Sequence, residues 1–148
     1  MRRPRTRREA RVALAAARRC WRAGRRDEAV TLAARCGPAL DDRAWRSFLP
    51  WLDRAPTPAL ADRVARELFG AMVRRDHTWL RVLAHWAGMP SARRRRASVL
   101  AVLDRVRLMH DREAGEALLA AIGRDRAAGV RGATAELQTL LTRVGPAV

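Results

Sequence analysis

Lysine, tyrosine and asparagine are absent from this chain of 148 residues, and isoleucine occurs once, at Ile122. The few aromatics are mostly tryptophan. Little β-branched or aromatic material is left for a sheet. The two cysteines, Cys20 and Cys36, form no CxxC pair and no ladder of spacings. That argues against a disulfide framework and for a reduced, cytoplasmic protein. The three histidines, His77, His85 and His110, fall in no HExxH or other metal spacing, and the cysteines do not join them, so no metal site and no cofactor is expected. No glycine-rich phosphate loop is present, and no Ser/His/Asp ordering stands out. Long apolar runs are missing too. The stretch Val12–Ala17 has the place of a secretory core, but it ends after six residues at Arg18 and Arg19. Nothing approaches a membrane span.

What is present is alanine, leucine and arginine, and these lose little on entering a helix. Apolar residues make up 49 % of the chain, enough for a folded core. The formal charge is +16, all of it from arginine. A total lack of lysine has the look of a GC-rich coding bias, so arginine abundance alone says little. The net imbalance says more, because such a bias does not remove acids. The first 26 residues hold eleven arginines against Glu9 alone, for a net +10. A field of that size steers and holds polyanions, and nucleic acid is the expected partner.

Turn and cap residues divide the chain into about eight helices. The first spans roughly Thr6 to Ala23 and stops at Gly24. The second starts near Asp27 and stops at Cys36-Gly37-Pro38. Asp41 or Asp42 caps the third, which Pro50 should kink or break. Thr57-Pro58 opens the fourth, which runs to about Arg74. Asp76, Ser91 and Asp111 cap the next three, and the last covers about Arg126 to Arg143. Leu60, Val64, Leu68 and Met72 make a helix-period stripe on the fourth. Trp79, Val82, Leu83 and Trp86 do so on the fifth, and Val99, Leu100, Leu103 and Val106 on the sixth. Short connections force neighbouring helices antiparallel. The expected fold is therefore all-α: a short α-solenoid of about four antiparallel helix pairs. Residues 1–10, with Pro4 and several arginines, read as a basic flexible arm before a single helical-repeat domain over 11–148, with the protein a monomer.

The run Arg93, Arg94, Arg95, Arg96 occupies the first turn of the sixth helix. Cations there oppose the helix dipole, yet free backbone N–H groups and guanidinium together make a phosphate seat. A solvated charged turn is an equal reading for Arg93 and Arg94. Arg96 differs, lying three, four and seven residues before Val99, Leu100 and Leu103, in line with the apolar stripe. An arginine there faces a groove or pairs with a buried acid. Asp62 lies beside the stripe of the fourth helix. It reads as a helix-start acid, a partner for Arg66 at i+4, or a functional carboxylate. Trp79 and Trp86 read as packing residues, and Trp21, Trp45 and Trp51 as core or rim.

Four segments in order resemble the AlkD-type DNA alkylation repair glycosylases. They are Trp21-Arg22-Ala23-Gly24 with Glu28 and Leu32-Ala33, then FLPWLDRAPTPALADRVARELFG, then LRVLAHWAGMPSARRRRASVLAVL, and last AGVRGATAELQTLL. Order and separation agree over roughly residues 15–143. The resemblance implies HEAT-like helix pairs that hold duplex DNA on a basic surface. It also implies removal of purines alkylated at N3 or N7. Carried over by position, the catalytic carboxylate falls on Asp62 and the backbone-holding arginine on Arg96, with Arg95 close behind. Arg93, Arg94 and Arg131 join the expected DNA contacts. The family's two tryptophans fall on Pro58 and near Ala135, Ala92 stands near where a further one is due, and Gly132 takes the place of its basic residue. The chain is also shorter than typical members. Three functions follow: a divergent glycosylase, a non-catalytic DNA-binding module, or a protein-interaction solenoid.

Overall fold

The structure is a computed structural model that describes residues 3–145, the side chain of Pro38 excepted. Met1 and Arg2 of the expected arm and residues 146–148 of the expected domain lie outside the described residues. The chain divides into two compact units, Met1–Leu68 and Phe69–Val148. Among the described residues every regular element is helical, so the fold is all-α.

The first unit holds α1 (Arg7–Arg22), α2 (Arg26–Ala34), a 3₁₀ turn (Gly37–Ala39), α3 (Asp42–Asp53) and α4 (Pro58–Arg63). Thr6 caps α1 by accepting from the Glu9 N–H. Helix α1 therefore starts inside the stretch expected as an arm, and Ala10 is buried. Its far end is a Schellman turn. Gly24 N–H donates to the Trp21 carbonyl and Arg25 N–H to that of Cys20. The φ of +83° this requires at Gly24 favours glycine. Helices α1 and α2 then pack on each other.

Asp41, rather than Asp42, caps α3, accepting from the Ala44 N–H at 3.0 Å. Pro50 does not break α3, which continues to Asp53. Proline removes one N–H near the end of a helix whose Phe48, Trp51 and Leu52 are all buried. Burial of three large side chains stabilises by several kcal/mol, about 1.5–3 each, and outweighs the missing bond. The indoles of Trp21 and Trp51 lie parallel with centroids 4.6 Å apart, which ties α1 to α3. Arg63 ties α4 to α2. It donates to the Asp27 carboxylate at 3.0 Å, to Thr31 Oγ1 at 2.9 Å and to both oxygens of Glu67.

Thr57 and Pro58 open α4 as expected, with Thr57 Oγ1 accepting from the Leu60 N–H. The helix expected to run on to Arg74 instead changes pitch. Val64–Phe69 form a π-helical segment before α5 (Gly70–Arg75). Leu60, Val64, Leu68 and Met72 are all buried.

The second unit continues with a 3₁₀ turn (His77–Trp79), α6 (Leu80–Ala87), α7 (Ala92–Met109), α8 (Arg112–Ile122) and α9 (Ala128–Val144). Asp76 caps the 3₁₀ turn rather than an α-helix, accepting from both the N–H and the hydroxyl of Thr78. Helix α7 is central: α5, α6, α8 and α9 all pack against it. Its Val99, Leu100, Leu103 and Val106 are buried, as expected, whereas Trp79 and Val82 of the preceding stripe are only half-buried. Gly115 of α8 lets three helices close up. A Cβ there would lie 2.9 Å from Leu141 of α9 and 3.0 Å from Val106 of α7.

Arginines finish several helix ends, where carbonyls lack partners within their own helix. Arg105 bonds the Val73 and Arg74 carbonyls at the end of α5, and its Nε lies 2.5 Å from Asp111. Arg112 bonds the carbonyls of Leu141 and Gly145 at the end of α9.

Candidate nucleic-acid interface

The arginine run sits where the sequence places it. Ser91 caps α7, its Oγ accepting from the Arg94 N–H at 3.2 Å. Four guanidiniums then leave the first turns of one helix, and all four are half-buried. An α-helix turns 100° per residue, so four consecutive side chains cannot share a surface, and their surroundings differ.

Arg94 lies over the Trp86 ring, 4.9 Å from its centroid. The cation faces the electron-rich side of the indole. Trp86 is itself buried and set edge-on to Phe69. Arg95 turns inward. Its Nε donates to Asp125 Oδ2 at 2.6 Å, and its Nη1 donates to the carbonyls of Met89 and Pro90. The side chains of Arg95 and Asp125 are 20 % and 8 % exposed. Most of this guanidinium therefore holds the loop after α6 and the loop before α9 to the start of α7. Asp125 also accepts from the Ala127 N–H at 2.9 Å. The Arg95 hydrogen bond, then the Ala127 N–H, hold the Asp125 carboxyl below the usual carboxylate range.

Arg96 reaches across to α9 and donates to the Gly129 carbonyl. Its side chain lies along Gly129 and Gly132, one turn apart: a Cβ at Gly132 would stand 3.9 Å from Nη1. A Cβ at either glycine would meet Arg96 at ordinary contact distance. Arg131, one turn into α9, is exposed, and its charge is among those felt by Asp125. The start of α7 and the start of α9 thus bring Arg93, Arg94, Arg96 and Arg131 to one end of the second unit. Asp125 is a residue that the sequence pattern did not single out. Its signal was an Asp two residues before an uncapped helix start, the pattern of an Asx turn.

Asp62 lies in α4 of the first unit, half-buried, next to the Arg63 hub. The positions due for family tryptophans, Pro58 and Ala135, are both exposed, as is Ala92. Of the tryptophans present, Trp45, Trp51 and Trp86 are buried, and Trp21 and Trp79 are half-buried. Among the described residues no three His, Cys, Asp or Glu side chains gather as a metal site. No helix there is long and apolar enough to cross a membrane.

No curated protein and no solved structure gives a significant match to the chain. The profile of a family described as DNA alkylation repair enzyme matches residues 3–137, nearly the whole length. The chain belongs to the DNA alkylation repair enzyme family, and its role is one related to DNA repair.

Proposed function

We propose that this protein binds duplex DNA and releases purines alkylated at N3 or N7, with Asp62 as the carboxylate that serves the reaction. The match over residues 3–137 carries the reading, because it spans both Asp62 and the arginines of α7. An N7- or N3-alkylated purine is cationic, so its bond to the sugar is already weakened. When that bond breaks, its electron pair goes to the base, which leaves neutral. Positive charge then develops on the sugar at C1′ and O4′. Water adds to C1′ and loses a proton, leaving an abasic site. A carboxylate fixed beside the sugar stabilises that charge and can orient the water. Arg96 and Arg131 supply contacts to the phosphate backbone, with Arg93 and Arg94 beside them, whereas Arg95 contributes chiefly by holding the start of α7 in place.

The test is release of 7-methylguanine or 3-methyladenine from methylated duplex DNA. Wild type should release base, and Asp62→Asn should slow release by about 10²–10³-fold, the usual effect of removing one transition-state electrostatic contact. Wild type that binds the duplex but releases nothing would leave a non-catalytic DNA-binding protein. That second reading is favoured by the exposed Pro58 and Ala135, which provide no aromatic wall to hold a sugar.

A further inference from the structure

A second basic site lies in the first unit. A cleft of about 420 Å³ opens between α1 and the start of α3. Arg7, Arg11 and Arg18 line it from α1, and Arg43 lines it from α3. The spacing i, i+4, i+11 puts the three α1 arginines on one face of the helix, with Leu14 between them. One acid, Asp41, lies in the lining, and its Oδ1 is already taken by the Ala44 N–H. Four cations and one carboxylate leave the cleft at a net +3.

Stability does not explain this arrangement. Arg18 donates to Ser47 Oγ at 3.4 Å, but among the described residues Arg7, Arg11 and Arg43 make no ion pair and no side-chain hydrogen bond. Arg7 is the first residue of α1 and Arg43 the second of α3, where a cation opposes the helix dipole. Arg63, Arg95, Arg105 and Arg112, by contrast, pair with acids or bond backbone carbonyls near helix ends. Here four converge around a single carboxylate, at some cost to the fold, on a space large enough for an anionic group and its neighbours.

We propose that this cleft seats a backbone phosphodiester of duplex DNA, giving the first unit its own grip on the nucleic acid. The proposal rests on the DNA-binding reading above. Guanidiniums suit the task because their N–H groups meet two phosphate oxygens at once. A backbone phosphodiester is the same at every base step, so this contact anchors without selecting sequence.

The test compares the salt dependence of binding to a fluorescein-labelled, unmodified duplex, followed by anisotropy. Three proteins are needed: wild type, Arg11→Gln/Arg43→Gln, and Arg19→Gln/Arg54→Gln. The last removes the same charge from exposed positions of the first unit outside the cleft. The cleft variant should weaken binding and reduce the slope of log K against log salt by about 1, the loss of one phosphate contact. The control should change the slope by less than half as much. The thermal midpoint of the cleft variant should hold or rise, since no partner is lost. Binding by wild type with equal slopes for the two double variants would overturn the cleft and leave the DNA reading intact. Absence of wild-type binding would sink that reading itself.

Discussion

Gly115→Ala and Gly132→Ala are the same substitution in two helices of the second unit, and they should change stability in opposite directions. In a helix interior, alanine is favoured over glycine by about 0.5–1 kcal/mol, because glycine loses more backbone freedom on folding. At Gly132 nothing opposes that gain. The residue is exposed, and the new methyl would lie 3.9 Å from Arg96 Nη1, an ordinary contact. Gly132→Ala should therefore stabilise by about 0.5–1 kcal/mol. At Gly115 the methyl would lie 2.9 Å from Leu141 Cδ2, 3.0 Å from Val106 Cγ2 and 3.4 Å from Leu137 Cδ1. All three neighbours are buried, and Val106, β-branched within α7, has essentially one χ1 rotamer available. The helices must part or the side chains leave their rotamers, and overpacking of this kind costs about 1–3 kcal/mol. Set against the propensity gain, Gly115→Ala should destabilise by about 1–2 kcal/mol. Urea unfolding followed by circular dichroism reads both variants, and a thermal scan should move by roughly 3–5 °C per kcal/mol in a chain this size. A rise in midpoint for Gly115→Ala matching that of Gly132→Ala would refute the close approach of α8 to α7 and α9.

Asp125→Ala should destabilise the second unit by about 2–3 kcal/mol, since it strips Arg95 of its carboxylate and the Ala127 N–H of its acceptor. The same pair sets a pH dependence. The Asp125 carboxyl is held below its ordinary value of 3.8, so its contribution is complete above that value. It is lost as pH falls from there through the depressed native pKa, and acid unfolding of Asp125→Asn should show a shallower limb in that window. Arg63→Met should cost the first unit about 1 kcal/mol in dilute buffer and less in high salt, because the guanidinium is 31 % exposed and its bridges to Asp27 and Glu67 are screened. Chemical denaturation at two salt concentrations checks it.

Helix ends were legible because they are local. Thr6, Asp41, Thr57, Ser91 and Asp111 each accept from an N–H three residues on, and that needs nothing beyond the residues themselves. Pro50 misled for the converse reason. Its local penalty is real, but burial of Phe48, Trp51 and Leu52 decides the outcome, and burial depends on residues distant in sequence. The π segment at Val64–Phe69 left no mark in a stripe that fits an α-helix equally well. Helix α1 begins at Arg7, inside the stretch expected as an arm, and the small side chain of Ala10 gives no warning of burial. At the candidate site, the acceptor of Arg96 on α9 was invisible, because it is a backbone carbonyl and no side chain marks it in the sequence.

Thirty-one arginines cannot be sorted by composition, and their partners do sort them. Arg63, Arg95, Arg105 and Arg112 each bond a carboxylate or the carbonyls near a helix end, or both, and replacing them should be felt in stability. Arg7, Arg11 and Arg43 bond neither among the described residues, so their removal should be felt in binding rather than folding. The distinction is physical. A guanidinium with fixed acceptors is held in place and partly neutralised, while one without keeps both its charge and its donors for an external anion. Arg95 shows why adjacency misleads. It stands between Arg94 and Arg96 in the run most suggestive of phosphate, yet its donors are largely spent inside the protein. A basic cluster is therefore better judged by how many of its donors remain unspent than by how many cations it contains. By that measure the quieter spacing of Arg7, Arg11 and Arg43 has more to offer a polyanion than Arg95 does.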